Sequence, residues 1–238
     1  AEMGSLIVLC IYTKAKIDKD KYGLKPVYDG RLLIKVLNLS VWSMLHAFIS
    51  VAPWFLFFVA IEHLGKTELA ISNITRSVSA IFFVIANSFA VTTGSLVSNV
   101  IGAGARNELF PICHKVLKLG YAVGIPFVVV ALLCNRWIVS FYTDNELLIE
   151  LAFAPFVVMI LNYTFALPGY VYLNAVGGTG KNKITFLFQV TTTCVYLVYL
   201  YWLSFCIKAS LSLYLTAEYL FVILLALQSI IYLKSKHY

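Results

Sequence analysis

The chain has 238 residues, 61% of them hydrophobic and only 12% charged, with a formal net charge of +7 and a mean hydropathy of +0.88. A soluble domain carries about 25% charged residues; this chain has too little polar surface to cover a water-soluble globule, so a bilayer is its expected solvent. Strand-like alternation of apolar and polar residues is absent, which argues against a membrane β-barrel and for an all-α membrane protein.

The opening residues, 1–13, contain an apolar run at 5–13 that is too short to cross a bilayer and has no basic segment ahead of it, so it reads as the end of a preceding span and not as a signal peptide. A basic stretch at 14–30 follows, with Lys14, Lys16, Lys19, Lys21 and Lys25. Six long apolar stretches then fill 31–238, at roughly 32–60, 70–100, 116–134, 147–174, 184–206 and 213–233; each meets the requirement of about 20 residues for a spanning helix.

The first of the six carries Ser43, His46 and Ser50 on one stripe, with Pro53 beyond them. His46 falls near mid-membrane and could take a proton near neutral pH, although a lone histidine on a packed face is more often simply hydrogen-bonded. In the second span, Ser88, Thr92, Ser95 and Asn99 recur at helical spacing, with Asn87, Gly94 and Ser98 beside them. A face this small and polar must look at other helices or at a water-filled cavity, and close helix packing is the commoner use. Arg76 lies about nine residues, or ~14 Å, into that helix, where snorkelling outward or bonding helix-end carbonyls is the expected solution. The fourth span is interrupted by Pro155 and Pro168, with Asn162, Tyr163 and Gly169 between or beside them. A broken polar helix near the midplane is where a solute site is expected.

Two glycine-rich stretches, NVIGAGARNE and NAVGGTGKNK, end the second and fourth spans. Neither fits a phosphate loop: Gly180-Lys181 is followed by Asn182 with no hydroxyl for magnesium, and Ala175 stands where the first glycine is required. Gly102, Gly104, Gly178 and Gly180 therefore read as tight helix-to-helix turns. Lysine and arginine are split 14 against 3 between the two sides, leaving out Arg76, which puts both turns, the 14–30 stretch and the chain end on the cytoplasmic side. Glu62, Glu68, Asp144, Glu146, Glu150 and Glu218 fall on the outer side by the same reading. The positive charge is thus topological and gives no support for nucleic-acid binding. The five cysteines are scattered and without metal-ligand spacing, so no metal site is expected. No intramembrane carboxylate pair, His-Glu-x-x-His or Gly-x-Ser-x-Gly motif points to an enzyme.

The run SNITRSVSAIFFVIANSFAVTTGSLVSNVIGAGARNE resembles the second helix of the C-terminal lobe of multidrug and toxic compound extrusion (MATE) transporters. NAVGGTGKNK resembles the family's later glycine turn, IVSFYTDNELL the outer loop before it, and KAKIDKDKYGLK the cytoplasmic link between lobes. The resemblance implies a twelve-helix protein about twice this length, of which the chain would be the end of helix six (1–13), the inter-lobe link (14–30) and a six-helix C-terminal lobe (31–238). It implies export of drugs or other toxic organic compounds by alternating access, driven by a sodium or proton gradient, from a multi-pass position in a bacterial inner membrane. His46, Ser50, Asn87, Thr92, Asn162 and Tyr163 are the candidates for the substrate cavity. Some members carry acids where this chain has Ser50 and Pro168, so the coupling ion is expected mainly in the N-terminal lobe. The alternatives are a lipid-linked oligosaccharide flippase of the same superfamily and, further off, a membrane-embedded enzyme. The expected partners are a small-molecule substrate, the bilayer and the N-terminal lobe.

The lysine split makes a direct prediction. Single cysteines introduced at Asn107 and Asn182, in the two glycine turns, should react with an impermeant thiol reagent only from the cytoplasmic side; labelling of either from outside would reverse the topology.

Overall fold

The computed structural model describes residues 2–16, 29–207 and 209–235. Contacts divide the chain into a unit of residues 1–40 and a unit of residues 41–238. The helices, in order, are α1 (Glu2–Lys16), α2 (Gly30–Ile61), α3 (Lys66–Gly102), α4 (Leu109–Leu133), α5 (Asn135–Ser140), α6 (Glu146–Leu161), α7 (Tyr163–Gly178), α8 (Asn182–Trp202) and α9 (Leu211–Ser235). Among the described residues no strand is present.

In the first unit, α1 carries the apolar run expected at 5–13 and continues to Lys16. Most of the basic stretch expected as a link, 17–28, lies outside the described residues. The start of α2 is capped by Asp29, whose Oδ1 accepts from the backbone N–H of Arg31 (2.9 Å) and Leu32 (3.2 Å), satisfying two of the donors that a helix start leaves open.

Among the described residues six segments are long and apolar enough to cross a membrane: Gly30–Leu64, Lys66–Gly102, Arg106–Leu133, Glu146–Gly178, Asn182–Phe205 and Leu211–Ser235. They match the six apolar stretches to within about a turn, except that the third begins well earlier, at Arg106, because charged and polar residues can continue a helix into the interface. The fourth is two helices in line, α6 and α7, separated at Asn162. At its outer start Asn145 is the cap, with Oδ1 accepting from Leu147 N–H at 3.0 Å, and Glu146 sits in the first turn.

In the second unit α7 lies at the centre, packed on α3, α9, α4 and α8. Its buried residues occupy nearly the whole circumference, among them Ala166, Leu167, Gly169, Val171, Tyr172, Leu173, Ala175 and Val176. Small residues set the separation. A Cβ on Gly169 would stand 2.7 Å from the Val222 carbonyl oxygen, and one on Gly178 would stand 2.4 Å from the Gly94 carbonyl oxygen. Between helices in lipid, where apolar surface gains little by leaving its neighbours, such close backbone approach is a main source of packing energy.

Two expectations from the sequence change here. Of the four turn glycines, Gly104 (φ +77°) and Gly180 (φ +79°) adopt the left-handed conformation that ends their helices, whereas Gly102 and Gly178 remain helical, and Gly178 is needed for its contact with α3. The small polar stripe of α3 is likewise not its packing face. Ser88, Thr92, Ser95 and Asn99 are exposed, and the residues buried against α7 and its neighbours are Ala86, Ala90, Thr93 and Val97. Alanine serves close packing as well as serine does and leaves no hydroxyl to satisfy.

Gly178→Ala should therefore lower stability by about 1–3 kcal/mol through forced separation of α3 and α7. Gly102→Ala, whose added methyl would meet nothing within 4 Å, should be neutral or slightly stabilising. Thermal unfolding of the detergent-purified variants, side by side, tests both.

Candidate functional site

The most polar interior point of the second unit is an ion pair between two helices distant in sequence. Arg76 of α3 and Glu218 of α9 are 3% and 8% exposed, and Arg76 Nη2 donates to Glu218 Oε1 at 2.5 Å. Tyr196 of α8 donates from its hydroxyl to the same oxygen at 3.3 Å. Both bonds converge on Oε1, so neither engages Oε2. The guanidinium carbon lies 4.0 Å from the ring centre of Phe57, 4.8 Å from Trp54 and 5.4 Å from Phe58. Arg76 Nε and Nη1 have no hydrogen-bond partner; the three aromatic faces of α2 stand in for one.

This arrangement corrects the placement of both residues. Arg76 neither snorkels nor caps a helix end. Glu218 is not on the outer surface: it lies seven residues into α9, about 10 Å along the axis, and is buried. Counting charges by span boundaries assigned it to the nearer side, because a single acid close to a helix start is indistinguishable in sequence from an interfacial one. The signal that could have found it is Arg76 itself. A buried cation in lipid requires a partner, and among the acids assigned to the outer side Glu218 is the one that stands well inside an apolar span.

Glu218 lines two cavities. The larger, 350 Å³, is also lined by His46, Ser50, Trp54, Asn87, Tyr170 and Gln189. It has the mixture of aromatic walls and a few polar groups that small-molecule sites show. The smaller, 40 Å³, is lined by Ser79, Asn162, Tyr163, Tyr170 and Glu218, with Trp54 and Phe82. The structure thus brings His46, Ser50 and Asn87 to one cavity and Asn162 and Tyr163 to its neighbour. Thr92 lines neither; it is exposed and returns its hydroxyl to the Ser88 carbonyl at 2.8 Å. His46 Nε2 and Asn162 Oδ1 are both buried without a hydrogen-bond partner.

The smaller cavity sits at the break between α6 and α7, and tyrosines make the break tolerable. Pro168 has no N–H, which strands the Thr164 carbonyl one turn earlier; Tyr121 of α4 donates to that carbonyl at 2.7 Å. Tyr219 of α9 donates to the Val158 carbonyl, and Tyr163 donates to the Gly120 carbonyl at 2.7 Å. Gly124 is the floor on which the Tyr163 ring rests, since a Cβ there would lie 2.1 Å from the phenol oxygen.

Among the described residues, segments long and apolar enough to cross a membrane, one of them interrupted, together with a partly polar cavity in the second unit, define a polytopic helical membrane protein. The family model MatE matches residues 43–203, and the chain belongs to that family. It is similar in structure to a MATE crystal structure in the bent conformation (TM-score 0.72, 17% identity, 83% of this chain and 44% of that one). It is similar to the crystal structure of a MATE P26A mutant (0.69, 17%, 82% and 43%) and to a MATE in complex with MaL6 (0.77, 16%, 98% and 56%). The chain spans about half the length of these structures. No curated protein matches it.

The pair and its aromatic box predict an asymmetry. Arg76→Leu leaves a buried carboxylate with only a tyrosine hydroxyl, and should cost about 3–5 kcal/mol at neutral pH. Glu218→Gln should cost only about 1 kcal/mol, because its amide oxygen can still accept from both donors and the guanidinium keeps its three rings. Unfolding of the two variants in detergent, compared with wild type, reads the difference; equal losses would show that the aromatic box contributes nothing.

Proposed function

We propose that the chain is the C-terminal half of a two-lobe secondary transporter that exports drugs or other toxic organic compounds by alternating access, coupled to a sodium or proton gradient. The observation that carries this reading is the 350 Å³ cavity lined by Glu218, His46, Asn87, Gln189 and aromatic rings within a chain of the MatE family. Its walls combine π faces with isolated polar groups, which suits an amphipathic organic compound better than a sugar or a bare ion. The broken α6–α7 segment beside it supplies the discontinuity at which a spanning helix can change direction. On this reading the protein is a multi-pass component of a bacterial inner membrane and acts together with an N-terminal lobe, and it carries out no covalent chemistry.

A lipid-linked oligosaccharide flippase would need a cationic cavity to match a pyrophosphate. Arg76 is an intramembrane cation that could serve such a cavity, but its charge is committed to Glu218; no other observation favours that reading.

The test is dye efflux from cells expressing the transporter that carries this chain, with the sodium and proton gradients collapsed separately. Efflux should fall when one of the two is removed, and efflux indifferent to both would overturn the proposal. Vesicles holding residues 1–238 alone should show no gradient-driven efflux. The main coupling site is placed by this proposal outside His46. The His46→Gln variant should accordingly keep at least about half of the efflux rate and its pH dependence, a histidine being replaceable where it serves only as a hydrogen-bonding group. Loss of pH dependence in folded protein at normal expression would make His46 the coupling group.

A further inference from the structure

At their cytoplasmic ends α2 and α8 are clamped together. The rings of Trp42 and Phe186 have centres 5.6 Å apart, Lys183 Nζ lies 5.2 Å from the centre of the Trp42 ring, and Asn182 Nδ2 donates to Ser43 Oγ at 2.8 Å. Further along, Trp54, Phe57 and Phe58 of α2 are held at Arg76 of α3. Over the outer ends of α2 and α8 the two walls part around a groove of about 840 Å³. Its sides are Leu56, Val59 and Ala60 of α2 and Leu197, Val198 and Tyr201 of α8. From Leu56 to His63, and from Leu197 to Ser204, is ~10 Å along the helix axis, roughly two thirds of one leaflet of a ~30 Å hydrocarbon core.

Apart from the Tyr201 hydroxyl, the polar side chains of the groove are His63 and Ser204, both at its outer end. The buried Tyr214 of α9 donates to Ser204 Oγ at 2.9 Å and stands 3.5 Å from His63 Nε2. With its oxygen accepting from Tyr214, Ser204 still has its own O–H to donate, and among the described residues no acceptor takes it. Ser204 and Phe205 belong to a π-helical turn, Leu203–Ile207, an uncommon element that is frequent at functional sites. Tyr201 and Trp202 are exposed at the same level, as side chains of the membrane–water interface are.

We propose that this groove binds one phospholipid of the outer leaflet, with an acyl chain between α2 and α8 and the phosphate accepting from the Ser204 hydroxyl and an imidazole N–H of His63. It requires that the chain cross a bilayer and that the lysine split give the side, and it requires no particular exported compound. Polarity and depth choose the occupant. A gap between helices forfeits the dispersion contacts of its walls unless something fills it. Water needs two or more polar partners, and the depth of the groove offers none. A run of methylenes needs no hydrogen bond, and a phosphate attached to it would stand at the level of the two donors. Lipid tails are as apolar as these walls, so entering the groove brings no hydrophobic gain. What sets the site apart from the ordinary lipid boundary is a chain touched from two sides and a headgroup held by hydrogen bonds.

The experiment is photolabelling of the protein that carries this chain, in nanodiscs doped with a phosphatidylethanolamine bearing a diazirine in one acyl chain, with labelled peptides read by mass spectrometry. Labelling of 56–63 and 197–205 should exceed that of Phe127 and Val130, which are exposed on α4. Ala60→Phe, which fills the groove, should bring labelling there down to the α4 level and leave α4 unchanged. His63→Ala combined with Ser204→Ala should weaken retention of the probe about tenfold, as the loss of hydrogen bonds to a charged group does. A diazirine fatty-acid methyl ester, which has no phosphate, should label groove and α4 alike. Groove labelling by the phospholipid no stronger than on α4 means ordinary boundary lipid and overturns the proposal. Labelling of α4 with none in the groove also overturns it, and is the result expected if an N-terminal lobe covers this face. Should Ala60→Phe not fold, the exposed His63 still gives a test: groove labelling indifferent both to His63→Ala and to the absence of a phosphate overturns the headgroup contact.

Discussion

The arrangement of the second unit depends on how one arginine is kept in a bilayer. Moving a guanidinium away from water is affordable only with compensation, and Arg76 draws it from three other helices at once: a carboxylate from α9, aromatic faces from α2, and the Tyr196 hydroxyl of α8 acting through that carboxylate. Four helices are thereby fixed relative to one another at a single point. Apolar packing alone would leave their rotations and depths loosely specified, because one lipid-facing surface is nearly as good as another. A directional charge pair that tolerates little displacement selects one arrangement.

The same constraint governs the backbone. A carbonyl stranded in hydrocarbon costs several kcal/mol, so a break in a spanning helix survives only where neighbours supply donors. Around Asn162 the Thr164 carbonyl takes its donor from Tyr121, and the Val158 carbonyl accepts both the Asn162 N–H and the Tyr219 hydroxyl. The two hydroxyls come from different neighbours of α7, α4 and α9, which makes the break a property of the bundle and not of the α6–α7 sequence by itself. Side-chain donors of this kind can let go and re-form more readily than helical N–H groups. A segment held by them is the natural place for the fourth span to bend without exposing polar backbone.

Much of the fold was legible in the sequence because the bilayer imposes it. Length and hydropathy located all six spans, and the MatE match agrees with the resemblance carried by the α3 run and the two glycine turns. The site was only partly legible. His46, Ser50, Asn87, Asn162 and Tyr163 were visible as polar residues within apolar spans, and they do lie along two adjoining cavities. Glu218 escaped because its partner is 142 positions away, and periodicity within a helix carries no information about a neighbour. Gln189 and Tyr170 escaped for the same reason. The two roles of glycine, turn and close approach, also read alike in sequence, and only the backbone angles and the proximity of Gly94 separate Gly180 from Gly178.

The exposed stripe on α3 is a physical statement about the surroundings. Ser88, Thr92, Ser95 and Asn99 are each exposed. Ser88 and Thr92 return their hydroxyls to backbone carbonyls of their own helix, which removes part of the cost of facing something other than water. The Asn99 amide and the Ser95 hydroxyl gain nothing comparable from lipid. Over residues 86–99, where the alanines are buried and the serines and asparagines point outward, the helix has its polarity inverted for a lipid boundary, yet it suits a water-filled cleft or a second protein surface. The stripe runs toward the end of α3 that the lysine split puts at the cytoplasm, while Arg76 is held nearer the other end. In a two-lobe arrangement such a face would line the cleft between lobes, wetted in one orientation and covered in the other, and hydroxyls that can bond either their own backbone or water suit both conditions.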